Sequence, residues 1–201
     1  MKRFYLIIFL GLPAFLFMNA QSGIGLGIKG GMNLNIHPSL LGEDQSLLAF
    51  HGGVIIYFPI SKYLTIQPEM LISQKGEKWG DEIMKGKYRL TYIDVPVLIQ
   101  FHPTPNNPFF SLQAGPQIGY LFRAMNVFEN ELENDNGKIN IIERYKKLDI
   151  GLAAGIEFNF PFRINLAVRY IHGLSVASGS YGSDFKNYVL QVSVGYRLLG
   201  K

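Results

Sequence analysis

Large apolar side chains occupy alternate positions in about eight segments between Gly23 and Leu198. In the first segment, one parity carries Ile24, Leu26, Ile28, Met32 and Leu34. The other parity carries glycines, asparagines and Lys29. Because successive side chains of a strand point to opposite faces, each segment predicts a β-strand with one apolar face and one small or polar face.

The strands are predicted at residues 23–35, 48–58, 63–76, 87–101, 109–124, 147–160, 162–172 and 186–198. Short connections at 59–62, 102–108 and Pro161 alternate with longer ones at 36–47, 77–86, 125–146 and 173–185. This alternation is typical of transmembrane barrels, which have short periplasmic turns and longer external loops. The 125–146 segment is polar and carries Glu129, Glu131, Glu133 and Asp135, so we interpret it as a mobile, solvated loop and take an acidic binding site as the alternative.

Two kinds of eight-stranded barrel fit the alternation. In a soluble lipocalin-like barrel the apolar face points inward, whereas in a membrane barrel it points outward to lipid. Residue size favours the membrane barrel, because the polar face collects glycine at positions 25, 27, 31, 53, 115, 119, 151, 155 and 195. Glycine weakens a strand on a water-facing surface, but in a narrow lumen it leaves room for larger neighbours. We therefore predict an all-β fold, an eight-stranded antiparallel up-and-down transmembrane β-barrel.

Charges of both signs share the parity of these glycines. They are Lys29, Glu69, Lys75, Asp94, Arg123, Asp149, Glu157, Arg163, Arg169 and Arg197. A buried charge needs a partner, so the sequence predicts a polar lumen plugged by a network of salt bridges. The alternative is that these are ordinary exposed charges.

The N-terminus predicts export. Lys2 and Arg3 precede an apolar run at residues 4–17, and the small residue Ala20 ends the segment. The run contains Pro13 and is short against the roughly 20 residues that a spanning helix needs. We therefore expect a signal peptide at residues 1–20 with cleavage near Ala20, and an outer-membrane β-barrel domain at 21–201, located in the outer membrane of a Gram-negative bacterium.

Composition narrows the chemistry. The full chain has 19 Lys and Arg against 15 Asp and Glu, and loss of Lys2 and Arg3 would leave a net charge of only +2, so we expect no nucleic-acid partner. There is no cysteine, and the four histidines are scattered without the spacing of metal ligands. No common hydrolase or nucleotide-binding motif is present. The sequence therefore predicts no enzyme, and no catalytic, cofactor-binding or metal-binding residues.

Five stretches, in order, resemble the outer-membrane β-barrel domain family of Bacteroidota that includes PorT-like proteins, whose architecture is similar to OmpA and OmpX barrels. They are residues 27–33 (GIKGGMN), 64–76 (LTIQPEMLISQKG), 92–98 (YIDVPVL), 114–120 (AGPQIGY) and 194–197 (VGYR). The resemblance covers nearly the whole mature chain. It implies insertion by the barrel-assembly machinery and, for PorT-like members, an accessory role in type IX secretion.

The function expected is that of an integral outer-membrane barrel of structural or interaction type, which presents external loops and contacts outer-membrane lipid. Secretion-system components are the protein partners that the resemblance implies. Two alternatives stay open at this point. One is a lipid-modifying hydrolase built around His51, and the other is a soluble, lipocalin-like periplasmic ligand-binding barrel.

Overall fold

The computed structural model describes residues 23–36, 46–80, 84–104, 109–130, 135–176 and 186–200. The expected signal peptide lies outside these residues, as do parts of the four long connections. The strands are β1 Gly25–Asn35, β2 Leu47–Pro59, β3 Leu64–Gly80, β4 Met84–Phe101, β5 Phe110–Asn130, β6 Asp135–Asn140, β7 Leu148–Asn159, β8 Ile164–Gly173 and β9 Tyr188–Leu199. Within this part of the chain, no helix is long and apolar enough to cross a membrane.

Eight of the strands close into an antiparallel barrel. The order around it is β4-β3-β2-β1-β9-β8-β7-β5, and pairing of β4 with β5 completes the circle. Strands that follow each other in the sequence pair with each other, and β1 pairs with β9. The one exception is that β5 pairs with β7 in the barrel, because β6 pairs only with the end of β5 and stays outside the barrel. The predicted fold class is thus confirmed.

The apolar face of every barrel strand points outward. Side chains that a soluble protein would bury are exposed around the whole wall, among them Leu26, Ile28, Phe50, Met70, Ile72, Ile99, Ile118, Leu152, Ile164 and Val194. The opposite parity is buried, including Leu71, the one large apolar residue on the polar side of β3. A continuous apolar outer surface is stable in lipid and not in water. The lipocalin-like alternative, with its apolar face inward, is therefore wrong.

A charge placed on this outer surface should destabilise the barrel. Ile28 lies in β1 and is 47% exposed, so Ile28→Arg is expected to lower the free energy of unfolding in vesicles by about 2 to 4 kcal/mol. Ile60 offers a matched control, because it is exposed in the turn after β2, where the same substitution should cost about 0 to 1 kcal/mol. Urea titration of the refolded proteins measures both, and equal stability of the two variants would contradict the assigned lipid face.

The barrel has two unlike ends. At the turn end lie the start of β1, the end of β9 and the connections after β2, β4 and β7. At the loop end, three strands extend beyond their predicted boundaries: β3 ends at Gly80, β4 begins at Met84, and β5 ends at Asn130. Together with β6 they form what we call the loop-end sheet, which comprises residues 76–80, 84–91, 123–130 and 135–140.

The predictions for the 77–86 and 125–146 connections were therefore wrong in part. Where the structure describes them, most of these residues are strand, and residues 142–144 form a 3-10 turn. Glu131 and Glu133 lie outside the described residues. The loop-end sheet rises above the lipid-facing band and has polar residues on both faces, so its strands lack the apolar alternation that marks the others.

Candidate functional site in the barrel interior and at its loop end

The interior is organised around two groups of charges. In the first, the Glu69 carboxylate accepts hydrogen bonds from Lys29 Nζ at 2.9 Å and from Gln67 Nε2 at 2.6 Å. Arg169 binds the same carboxylate in a bidentate manner, with Nη1 at 3.0 Å from Oε2 and Nη2 at 2.8 Å from Oε1. Such fork-shaped pairs are the strongest kind of charge-assisted hydrogen bond. Glu69 thus joins β1, β3 and β8 across the lumen.

Further polar groups complete the first group. Arg169 Nη2 also donates to Gln113 Oε1 at 2.7 Å, and Gln100 Nε2 donates to Glu157 Oε1 at 3.0 Å. Arg169 is 1% exposed and Glu157 is fully buried. Charges as deeply buried as these are tolerated only when opposite charges and hydrogen bonds compensate their lost hydration.

The second group lies nearer the loop end. Lys75 Nζ lies 3.1 Å from Asp94 and 3.0 Å from Asp149 Oδ2, and it lies 4.6 Å from the centre of the Tyr92 ring. Asp149 also accepts hydrogen bonds from Asn187 Nδ2 and Ser175 Oγ, both at 3.0 Å. One ammonium therefore holds two carboxylates and an aromatic face together.

Apolar and small residues fill the space beside these groups. Leu98, Ala153, Ile171 and Val189 pack together on the inner side of four strands. A Cβ atom on Gly119 would collide with the Asp94 carboxylate, and one on Gly195 would collide with the Asn165 amide. At these two positions glycine provides the room that a larger polar neighbour occupies.

The structure places most of the predicted lumen charges inside the barrel. Lys29, Glu69, Lys75, Asp94, Asp149, Glu157 and Arg169 are buried there. Arg197 is half-buried, and its guanidinium lies over the Tyr57 ring at 4.3 Å near the turn end. The alternative of ordinary exposed charges does not describe these residues.

Arg123 and Arg163 are exposed, so their assignment to the lumen was wrong. The β4–β5 register shifts between Thr91 and Tyr92, so that Phe122 and Arg123 both point outward and the inward parity resumes at Ala124. A β-bulge of this kind inserts one residue and reverses the faces of those that follow. Arg163 lies in a 3-10 turn with φ of 67°, ahead of β8, and donates to the Leu198 carbonyl at 2.9 Å.

Neutral polar side chains add bonds that the charge pattern alone did not identify. His51 Nε2 lies 2.9 Å from Ser193 Oγ, Asn33 Nδ2 donates to Ser73 Oγ at 3.0 Å, and Gln191 Nε2 donates to Asn33 Oδ1 at 3.0 Å. These residues share the inward parity of their strands, so alternation places them in the lumen. Their pairing depends on the register, which the sequence does not specify.

A small apolar core closes the loop end. Ile141, which precedes the 3-10 turn at Ile142–Arg144, is buried against Leu90, Tyr92, Leu121 and Ala124. Its N–H donates to the Ala124 carbonyl at 3.1 Å. Tyr145 packs against this core, where burial and the nearby Glu77 raise the pKa of its hydroxyl, so the phenol stays neutral.

The interior offers little to a substrate. His51 and Ser193 are 5% and 3% exposed, and His51 Nδ1 has no hydrogen-bond partner among the described residues. A hydrolytic His–Ser pair needs an accessible hydroxyl and a third group that orients the imidazole. Within the described ranges, no group of three or more His, Cys, Asp or Glu side chains is arranged to hold a metal ion.

Three solved structures are similar in fold. Ail, the attachment invasion locus protein of Yersinia pestis, shares 15% identity at a TM-score of 0.49, over 87% of this chain and 97% of Ail. Neisserial surface protein A shares 12% identity at 0.44, over 88% and 96%. OprG from Pseudomonas aeruginosa shares 14% identity at 0.44, also over 88% and 96%.

None of the curated proteins matches the chain. A family model does match, and it spans residues 19–178, which include β1 to β8. The description of that family is "outer membrane protein beta-barrel domain". With the closed barrel, its outward apolar wall and its polar interior, this match shows that the chain belongs to the outer-membrane β-barrel domain family.

Proposed function

We propose that this integral outer-membrane barrel is a non-catalytic interaction protein that presents its loop-end sheet to a protein partner outside the cell. The observation that carries the proposal is the filled interior. Lys75, Asp94, Gln67, Leu98 and Glu157 are all fully buried inside the barrel. Because eight strands enclose only enough space for such side chains, the surface that stays accessible to a partner is the loop end.

The loop-end sheet is suited to presenting a fixed surface. Pairing of β4 with β5 continues to Met84 and Asn130, and β5 then pairs with β6 from Met125 to Asn130. The core around Ile141 holds the following segment against β4 and β5. A surface that is ordered before binding loses less conformational entropy on association than a mobile loop does.

The enzyme alternative has less support. Its candidate residue His51 lies on β2, and its ring points into the interior, where it passes over Gly31 of β1 and contacts Ser193 of β9 without access to bulk lipid. A lipid-modifying hydrolase of this size would need its nucleophile at a place that a lipid can reach. We therefore propose that His51 is a structural residue of the lumen.

A component of a protein secretion system is the partner we propose. Support for it comes from the resemblance of residues 64–76 and 92–98 to PorT-like proteins. In the structure these stretches form the paired centre of β3 and β4, directly below the loop-end sheet. The other three stretches of the resemblance lie in β1, β5 and β9, so the resemblance supports the proposal through the barrel as a whole.

Deletion of the gene, with complementation, tests this function. We expect exported proteins to accumulate inside the deletion strain and the intact gene to restore secretion. A variant in which residues 127–138 are replaced by a short turn should insert normally but fail to restore it, because β6 and the end of β5 are lost. His51→Ala serves as the control and should restore secretion fully.

Two outcomes would contradict the proposal. Normal secretion in the deletion strain would show that the partner is not a component of a secretion system. A change in lipid A or phospholipid that the intact gene reverses and His51→Ala does not would instead favour the hydrolase. Heat-dependent migration on a detergent gel shows whether each variant has folded.

A further inference from the structure

The outward face of the loop-end sheet is strongly basic. One row of paired residues crosses the four strands of this sheet in the order β3, β4, β5 and β6. The row consists of Lys78, Lys87, Val127 and Lys138. These four positions share one face across three strand spacings, a width of about 14 Å. One row closer to the membrane the same face carries Arg89, and beside the bulge it carries Arg123. Lys85 is on this face too, opposite Glu129.

This arrangement of cations is unfavourable within the protein itself. Like charges directly opposite each other on neighbouring strands repel. Lys78, Arg89, Arg123 and Lys138 are exposed and Lys87 is half-buried. Among the side chains that the structure describes, which do not include that of Glu129, none of these five has a carboxylate partner. A cluster of this kind is stabilised by an anion from outside the chain.

The face continues directly from the lipid-facing wall. Ile72 on β3, Ile93 on β4 and Phe122 on β5 are exposed at the upper edge of the apolar band. On β5 the cation Arg123 follows at once, whereas on β4 Thr91 precedes Arg89, and on β3 Gln74 and Gly76 precede Lys78. Cations at this height meet the headgroups of the surrounding leaflet. A soluble polyanion would gain nothing from the adjoining apolar surface, whereas a lipid would use both.

A cleft of about 130 Å³ lies at the same place. Pairing of β2 with β3 stops at His51 and Ser73, and only the Ser46–Glu77 bridge follows. Between these points, residues 47–50 of β2 face 74–76 of β3, so β2 has one residue more and the two strands separate. Exposed Leu48 and Phe50, together with Gln74 and Arg89, line its outer side, and the buried Leu47, Ala49 and Lys75 line its inner side.

The separation of the strands is built into the fold. Backbone carbonyls at the gap are satisfied from inside the barrel, since Asn33 Nδ2 donates to the Gln74 oxygen at 2.8 Å and Asn35 Nδ2 to the Leu47 oxygen at 2.9 Å. Gly76 has a φ of 141°, and a Cβ there would collide with the Tyr88 carbonyl. The gap therefore needs no partner strand to satisfy these polar groups.

We propose that the basic face and the cleft together form a binding site for a phosphate-bearing lipid of the leaflet at the loop end. The phosphate contacts Arg89 and the lysines of the loop-end sheet. An acyl chain lies against Leu48 and Phe50. The lipid occupies the outer side of the cleft, while Lys75 on the inner side stays paired with Asp94 and Asp149, and the site does not rest on the proposed protein partner.

The test measures lipid binding to the full, refolded protein in neutral detergent micelles by native mass spectrometry. The probes are bis-phosphorylated lipid A, the same lipid after dephosphorylation, and heparin as a soluble polyanion. The triple variant Lys78→Gln, Lys87→Gln and Lys138→Gln should bind phosphorylated lipid A about 100-fold more weakly, at about fivefold per cation. Arg89→Gln alone should weaken it about fivefold.

The matched control removes positive charge elsewhere. Lys62→Gln and Arg163→Gln alter exposed cations in the turns after β2 and ahead of β8, at the opposite end of the barrel, and binding should stay within about twofold of the wild type. Equal binding of phosphorylated and dephosphorylated lipid, or an equal loss in the control, would overturn the proposal. Heparin binding that depends on the same lysines and displaces lipid A would assign the face to a soluble polyanion and overturn the lipid site.

Discussion

Replacement of Glu69 by Gln is expected to lower the free energy of unfolding by about 3 to 5 kcal/mol. The Glu69 carboxylate is the shared partner of Lys29 and Arg169, and all three side chains are almost fully buried. The variant keeps the size of the side chain but leaves two cations in the lumen with reduced compensation. Urea titration of protein refolded in vesicles, followed by heat-dependent gel migration, measures the loss.

A matched control separates this effect from a general loss of charge. Glu143 is exposed in the 3-10 turn, so Glu143→Gln should change the free energy of unfolding by less than about 0.5 kcal/mol. The double variant Glu69→Gln and Arg169→Gln should lose less than the sum of the single losses, by about 0.5 to 3 kcal/mol, because the two residues bind each other. Strictly additive losses would refute a direct ionic coupling.

The residues of the barrel interior could be predicted from the sequence because inward and outward side chains alternate without interruption along the strands that cross the membrane. On β3, alternation alone places Thr65, Gln67, Glu69, Ser73 and Lys75 together on the buried side. The predicted strand 87–101 follows the same logic although both of its faces carry large apolar residues, since Asp94 marks the inward face and Tyr92, Leu98 and Gln100 share it. The lipid imposes this regularity, because every residue that faces the hydrocarbon must be apolar and every second residue of a strand does so.

Local departures from a regular strand were not predictable in the same way. Arg123 has the parity of a lumen residue when counted along β5, but the bulge at Phe122 turns it outward. No residue type at positions 121–124 signals an extra residue, since a bulge arises from the pairing with β4. Arg163 was misplaced because Phe162 and Arg163 both adopt positive φ, which non-glycine residues seldom do.

Pairings above the membrane also escaped prediction. Residues 135–140 are DNGKIN, which lacks both apolar alternation and β-branched content except for Ile139. Their strand conformation comes from pairing with residues 125–130 of β5 and from the Ile141 core that follows. Tertiary context therefore overrides a local preference for a turn. The basic face and the β2–β3 cleft depend on the same register, and neither is visible in the sequence alone.

Replacement of Lys75 by Met should destabilise the barrel as strongly as loss of Glu69, by about 3 to 5 kcal/mol. Lys75 Nζ is the cation that Asp94 and Asp149 share, and all three are buried near the loop end. Methionine fills a similar volume but leaves the two neighbouring carboxylates without their shared cation. The same urea titration measures the loss, and Lys146→Met, at an exposed position, should leave stability within about 0.5 kcal/mol of the wild type.

A second substitution shows whether repulsion between the two carboxylates causes this loss. Adding Asp94→Asn to Lys75→Met removes one buried negative charge, while Asp149 keeps its hydrogen bonds from Asn187 and Ser175. The double variant is therefore expected to be more stable than Lys75→Met alone, although Asp94→Asn by itself should destabilise the wild type. If the second substitution adds a further loss in the Lys75→Met background, the two carboxylates do not depend on a shared cation, and the role assigned to Lys75 is wrong.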